Sequence, residues 1–150
     1  MKSAIIAGST GYVGSALVRV LLEKGINVLA LGRKSRASTS FSLLAENHHL
    51  TYVEIDNINI NDLSSHLTKL SWKSGEACVF YNLSWVGSLS LTDGGFEEQF
   101  SNVLHSVEMV KIAKELGCSK FISVGSQEET LMEKYLEGSW KEHALDSPHD

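Results

Sequence analysis

Short apolar runs alternate with segments of helical periodicity along most of the chain. Apolar runs bounded by glycine or polar residues are typical of buried parallel strands. The sequence predicts such strands over 3–7, 27–31, 50–55, 77–83 and 120–124. Between them, apolar residues at helical spacing predict helices over 12–24, 41–46, 61–70 and 96–116, with a polar loop over 35–40. The last helix has one apolar side, formed by Phe96, Phe100, Val103, Leu104, Val107 and Val110.

This alternation predicts an α/β fold built on one parallel sheet with helices on both faces. Because crossovers between parallel strands are right-handed, few topologies remain, and a doubly wound sheet in strand order 3-2-1-4-5 is the natural one. A chain of 150 residues with 43% hydrophobic residues is long enough to bury a core as one domain.

Composition excludes several other classes of protein. No run approaches the roughly 20 apolar residues of a membrane span, and the apolar run before Gly8 is too short for a signal peptide. A pI near 5.7 argues against nucleic acid as a partner. The two cysteines, Cys78 and Cys118, form no metal-binding spacing and are expected to be buried, reduced thiols in a cytoplasmic protein. We expect no metal site.

The net charge is concentrated at the carboxyl end. Residues 127–150 hold seven acidic and two basic residues, which accounts for the whole formal charge of −5, and they also hold the single proline. We therefore place a boundary near Ser126. It divides a folded domain over 1–126 from an acidic tail or linker over 127–150.

A glycine-rich loop joins the first predicted strand to the first helix. Its residues are Gly8, Ser9, Thr10, Gly11, Tyr12, Val13 and Gly14. Glycines at this place let the backbone approach a pyrophosphate, while the helix start offers free N–H groups and the positive end of its dipole. We expect Gly8 to allow the turn, Gly11 to leave space for phosphates and Gly14 to let the helix pack on the sheet. The alternative is a strand-to-helix turn with no ligand.

The glycine spacing is GxxGxxG rather than GxGxxG. In this respect residues 1–126 resemble the short-chain dehydrogenase/reductase superfamily, and in particular its extended branch of sugar-nucleotide epimerases and dehydratases. The resemblance implies a Rossmann domain that binds a dinucleotide cofactor. It also implies a nucleotide-linked sugar as the substrate of the whole enzyme.

The end of the second strand bears on the choice of cofactor. Domains that bind NAD usually have an acid there to hold the ribose 2′-hydroxyl, but this sequence continues Gly32, Arg33, Lys34. An arginine can pair with the 2′-phosphate of NADP or stack on adenine, and Lys34 or Arg36 would add charge. We therefore expect NADP, with NAD as the second choice. A solvated basic loop is the alternative.

Further residues enter through the resemblance. Asp56 and Asn57, after the third strand, would contact adenine, although Asp56 could simply cap a turn. Leu83, Ser84 and Trp85, after the fourth strand, would line the nicotinamide-ribose side, although Trp85 could be core or interface. Asn102, within the long helix, would face the active site.

Ser126 follows the fifth strand and matches the position of the superfamily's catalytic serine, with Ser123 as an alternative. The serine works there with a Tyr-x-x-x-Lys pair, in which lysine lowers the pKa of the tyrosine. This chain lacks the pair, since Tyr135 is followed four residues later by Ser139.

Two interpretations of the missing pair remain. The first is that the chain is the amino-terminal part of a longer NADP(H)-dependent epimerase, dehydratase or reductase and is inactive alone. The second is that it is a non-catalytic NADP-sensing protein or binding module. Neither interpretation involves nucleic acid or a membrane, and a homodimer is left open.

Overall fold

A single sheet of five parallel strands organises the molecule. The computed structural model describes residues 2–44, 46–56, 62–70, 72–74, 77–86 and 96–125. The strands are β1 (Ser3–Ala7), β2 (Asn27–Gly32), β3 (Leu50–Glu54), β4 (Val79–Asn82) and β5 (Lys120–Ser123). They lie in the order β3-β2-β1-β4-β5, and all four pairings are parallel. The predicted fold class, sheet and strand order are confirmed.

In the described part of the chain, three α-helices connect the strands: α1 (Tyr12–Glu23), α2 (Leu63–Leu70) and α3 (Phe96–Glu115). Helix α1 is followed by Gly25, whose φ of +67° is favourable only for glycine and closes the helix. The region between β2 and β3 differs from the prediction. Two short 3-10 turns, Arg36–Ser38 and Ser40–Leu44, replace the expected polar loop and short α-helix. Local serine and threonine hydroxyls bond to the backbone there, which favours tight turns over an α-helix.

Two apolar clusters cover the two faces of the sheet. One cluster lies between the sheet and the helices α2 and α3, and it includes Leu63, Phe80 and Met109. The other cluster lies between the opposite face of the sheet and α1 with the 3-10 turns, and it includes Val18 and Phe41. The central strand β1 is buried along its whole length. Because both faces are covered, its sequence after Ser3 is continuously apolar rather than alternating.

The apolar side of helix α3 is not the side that packs on the sheet, although its sequence suggests that it would be. Its buried residues are Asn102, Met109, Ile112 and Ala113. Its apolar stripe, formed by Phe100, Val103, Leu104, Val107 and Val110, is instead about half exposed. Periodicity identifies a stripe on a helix, but the packing of the helix on the sheet decides which residues are buried. Within the described ranges, no helix combines the length and the apolar character needed to cross a membrane.

The packing on either side of α3 predicts unequal effects of truncation. Phe80 is fully buried, and its ring stacks on Phe121 with centroids 5.4 Å apart. We expect Phe80→Ala to lower the free energy of unfolding by about 3–5 kcal/mol, measured by urea denaturation. The control Val107→Ala, on the exposed stripe, should cost less than about 1 kcal/mol. Equal losses would contradict the exposed position of this stripe.

Candidate functional site

A cleft opens at the carboxyl edge of the sheet, where the chain leaves β1 toward β2 on one side and β4 lies on the other. Open α/β sheets bind ligands at such a switch point. The loops after β1, β2, β3 and β4 all contribute to its walls. They include Gly8, Thr10 and Gly11 from the first loop, Arg33 from the second, Ile55 from the third and Trp85 from the fourth.

Two glycines of the loop, Gly8 and Gly14, lie in contacts that leave no room for a side chain. Gly8 has a φ of +76°, and a Cβ there would lie 2.6 Å from the Leu83 carbonyl oxygen and 2.8 Å from the Ser84 nitrogen. A Cβ on Gly14 would overlap the Gly8 carbonyl oxygen and lie 2.9 Å from the Ser9 Cα. Gly8 therefore packs directly on the end of β4, and Gly14 lets α1 start against the loop.

Gly11 is in a different situation. It is exposed, and a Cβ there would meet only the Gly8 carbonyl oxygen, at 3.3 Å. Gly11 is the N-cap of α1, and no side chain among the described residues caps the helix start. The first turn contains no acidic residue, and Tyr12 is 94% exposed. The amino end of α1 therefore presents uncapped N–H groups and a positive dipole end next to the cleft.

Ser9 fastens the loop rather than lining the cleft. It is fully buried, and both its hydroxyl and its backbone N–H donate to the Leu31 carbonyl, at 2.8 and 3.1 Å. Thr10 lines the cleft, and its methyl group would lie 2.9 Å from a Cβ on Gly32. Thus the loop after β1 and the end of β2 are tied together, and both Thr10 and Gly32 lie at their junction.

The three basic residues after β2 separate in the structure. Arg33 is exposed and lines the cleft, and among the described residues it has no hydrogen-bond or ion-pair partner. Lys34 is exposed, and its carbonyl accepts a hydrogen bond of 2.5 Å from the Tyr52 hydroxyl. Arg36 instead donates from Nη2 to the Leu44 carbonyl, at 3.4 Å. Of the three, only Arg33 contributes to the walls of the cleft.

Two residues of β3 border this corner, and sequence reasoning did not identify them. The Tyr52 hydroxyl lies 2.7 Å from the position of a Cβ on Gly32, and Glu54 is the register partner of Gly32. Burial, and secondly the negative charge of Glu54, raise the pKa of Tyr52. The available signal was that alternate strand residues point to one face, which puts Tyr52 and Glu54 on the same side.

A network of amide and hydroxyl groups shapes the segment after β4. Asn82 is buried, and its Oδ1 accepts from the Ser84 hydroxyl at 2.8 Å, while its Nδ2 donates to Ser106 Oγ at 3.3 Å. Asn102, also buried, accepts from the Val86 N–H at 3.0 Å and donates to the Val86 carbonyl. Both amides hold this segment on α3. Trp85, between the two anchored residues, is 61% exposed.

A second crevice adjoins the first and shares Leu83, Ser84 and Trp85 with it. Its other wall is the end of β5, including Ser123 and Val124. Consequently Ser123, the alternative to Ser126, lines a crevice that borders the main cleft.

The remaining predicted residues divide into two groups. Asp56 is half-buried after β3, but the neighbouring Ile55, not Asp56, lines the cleft. Asn57 and Ser126 lie outside the described residues, so their roles stay predictions. Within the described ranges, no three histidine, cysteine or acidic side chains are grouped to hold a metal ion.

Comparison with known proteins agrees with this geometry. Residues 4–134 match the NAD dependent epimerase/dehydratase family, and the chain belongs to it. An uncharacterized chloroplastic protein of Arabidopsis thaliana is 28% identical over 133 aligned positions, and the match covers 82% of this chain and 36% of the relative.

Several solved structures share this fold, and a UDP-sugar 4-epimerase is among them. The UDP-Glc/GlcNAc 4-epimerase of Campylobacter jejuni matches with a TM-score of 0.64 at 16% identity, over 82% of this chain and 36% of the enzyme. WbmG of Bordetella bronchiseptica, solved with NAD, matches with a TM-score of 0.60 at 18% identity, over 81% and 36%. At these identities the likeness establishes the fold. This chain spans about a third of the length of these relatives.

The bonds of Asn102 predict how the segment after β4 is held. We expect Asn102→Ala to destabilise the fold by about 1–3 kcal/mol, because the Val86 N–H and carbonyl lose their partner. Thermal unfolding measures the change. Asn102→Asp keeps the size of the side chain but places a carboxylate against the Val86 carbonyl, so we expect it to be no more stable than Asn102→Ala. A variant Asn102→Ala as stable as the wild type would contradict this anchoring.

Proposed function

We propose that this chain is the amino-terminal, cofactor-binding portion of an NADP(H)-dependent oxidoreductase, epimerase or dehydratase that acts on a nucleotide-linked sugar. The observation that carries the proposal is the glycine turn that leads from β1 into the uncapped start of α1, at the edge of the cleft. Membership of the epimerase/dehydratase family supports it. So do structural neighbours solved with NAD and UDP-sugars, such as MoeE5 with UDP-glucuronic acid and NAD.

The residues present fit the diphosphate of a dinucleotide. Phosphate oxygens would accept from the N–H groups at the start of α1, where the helix dipole favours negative charge. Gly11 would let them approach the backbone, and Gly8 and Gly14 would hold the loop in position. Leu83, Ser84 and Trp85 would border the nicotinamide-ribose half, and Asp56 with Asn57 the adenine half. When bound, the nicotinamide supplies the hydride donor or acceptor.

The preference for NADP is proposed from charge at the end of β2. Arg33 lines the cleft without a described partner, and a guanidinium pairs well with a phosphate. Glu54 lies nearby on β3 and opposes this effect, so the preference depends on Arg33 reaching the ribose more closely than Glu54 does. Several structural neighbours were solved with NAD. This chain would therefore differ from them in its cofactor.

The chemical step needs groups beyond those described. In the proposal Ser126 hydrogen-bonds the reacting oxygen of the sugar and helps to polarise it. The sequence holds no Tyr-x-x-x-Lys pair for proton transfer. We therefore expect residues 1–150 alone to bind cofactor without turnover, and the whole protein to be active.

The second candidate function is a non-catalytic NADP-sensing protein, which the missing pair favours. The two candidates are distinguished by the sequence and activity of the full-length protein. A Tyr-x-x-x-Lys pair after Ser126, together with turnover of a nucleotide-linked sugar, supports the enzyme. Cofactor binding with no such pair supports the sensor.

Substitutions at Gly11 and Gly14 should have different effects, one mainly on cofactor affinity and the other mainly on the stability of the fold. Gly11→Ala places a methyl group where the phosphates would approach, so we expect NADPH affinity to fall by about tenfold or more, with stability lowered by no more than about 1 kcal/mol. Gly14→Ala overlaps the Gly8 backbone, and its main effect should be a loss of about 1–3 kcal/mol of stability. Calorimetric titration and urea denaturation measure the two quantities. Unchanged NADPH affinity in a folded Gly11→Ala variant would refute the proposed site.

Arg33 predicts the cofactor preference. We expect tighter binding of NADPH than of NADH, and we expect Arg33→Asp to weaken NADPH by about 10–100-fold, because a charge-assisted pair is replaced by repulsion. Lys34→Asp is the matched control, with the same change of charge at an exposed neighbour that does not line the cleft. Fluorescence titration with both cofactors tests this. Tighter binding of NADH by the wild type, or equal effects of the two variants, would show that Arg33 does not select the cofactor.

A further inference from the structure

A pair of thiols lies at the amino-terminal edge of the sheet, opposite the cleft. Cys78 immediately precedes β4, and Cys118 comes two residues before β5. Their sulfur atoms are 3.6 Å apart, and both cysteines are free. Cys78 is fully buried, whereas Cys118 is partly exposed. The proposed cofactor site includes neither cysteine, so the chemistry of this pair is independent of the proposed function.

The backbone holds the two cysteines side by side, and each lies directly after a turn. The N–H and the hydroxyl of Ser119 both donate to the Cys78 carbonyl, at 2.8 and 2.9 Å. Each cysteine directly follows a turn residue with positive φ, Ala77 at 58° and Gly117 at 71°. A disulfide requires a sulfur separation of about 2.05 Å. Rotation of the two side chains, with small shifts in these turns, supplies the approach.

The neighbouring thiols also change each other's acidity. The Cys118 thiol donates to the Cys78 sulfur, and this hydrogen bond lowers the pKa of Cys78 to about 7. The same interaction raises the pKa of Cys118. The pair therefore loses its first proton near neutral pH, and a thiolate is the reactive form toward oxidants.

We propose that Cys78 and Cys118 form a reversible intramolecular disulfide, a redox modification site that ties the start of β5 to the start of β4. Among the described strands β5 is one of the two edge strands, and it is paired with β4 alone. It carries Ser123 at its other end, beside the second crevice. The disulfide would restrain an edge strand, which has one neighbour instead of two.

A peroxide is the class of oxidant that the chemistry needs. Within the singly deprotonated pair, transfer of the Cys118 proton to Cys78 puts the negative charge on the exposed sulfur. That sulfur attacks a peroxide oxygen, and the O–O bond breaks. Hydroxide is the leaving group, and Cys118 becomes a sulfenic acid. The Cys78 sulfur then attacks the Cys118 sulfur, and the S–O bond breaks as water leaves with the Cys78 proton. Two thiols are oxidised by two electrons, and the peroxide is reduced to water.

The test uses the whole chain, reduced and then treated with hydrogen peroxide at low protein concentration. We expect the free-thiol count to fall from two to zero per chain, and peptide mapping to find Cys78 joined to Cys118 within a monomer. Dithiothreitol should restore both thiols. Amide exchange in β5 should slow by about tenfold or more in the oxidised chain, because opening of the edge strand is restrained.

Single variants provide the control. Cys118→Ser changes a partly exposed side chain, and Cys78→Ala keeps an apolar group at the buried position. Either folded variant should lose the slowed exchange in β5. Disulfides between chains, an over-oxidised Cys118 beside a free Cys78, or unreacted thiols in the folded wild type would each overturn the proposal.

Discussion

The contact between the loop after β1 and the segment after β4 sets the geometry of the whole cleft. Gly8 lies so close to Leu83 and Ser84 that a single methyl group would overlap their backbone. Gly14 lies equally close to Gly8, so α1 begins directly against the loop. Because these contacts are between backbone atoms, no side-chain adjustment can relieve an added group. The start of α1 is thus brought to the carboxyl edge of the sheet, where its uncapped N–H groups meet the cleft.

The same loop links the two halves of the site. The buried hydroxyl of Ser9 fastens it to Leu31 on β2, while Gly8 fastens it to the end of β4. On the other side of the cleft, Asn82 and Asn102 hold the segment that carries Ser84 and Trp85. Buried amides that are hydrogen-bonded in this way restrict the backbone. A cofactor would therefore meet walls whose main chain is already positioned, and Arg33 and Trp85 are the exposed side chains between them.

Charge at the end of β2 has to be considered together with β3. Arg33 taken alone favours a phosphate, but the register places Glu54 beside Gly32, and its carboxylate contributes to the raised pKa of Tyr52. The Tyr52 hydroxyl in turn holds the Lys34 carbonyl. The charge at this corner is thus set by two adjacent strands rather than by one motif.

The sequence alone determined the sheet, its strand order and the position of the glycine loop, because these depend on local periodicity, right-handed crossovers and the backbone freedom of glycine. It also identified Arg33 and the segment after β4, since both directly follow predicted strands. Only the tertiary structure decided that Ser9 is buried, that Asn102 anchors Val86, that Tyr52 and Glu54 border Gly32, and that the apolar stripe of α3 is exposed. It alone brought Cys78 and Cys118 together across 40 positions of sequence. Such contacts depend on the pairing register and on how each helix rotates against the sheet, and neither is encoded within a single segment of the chain.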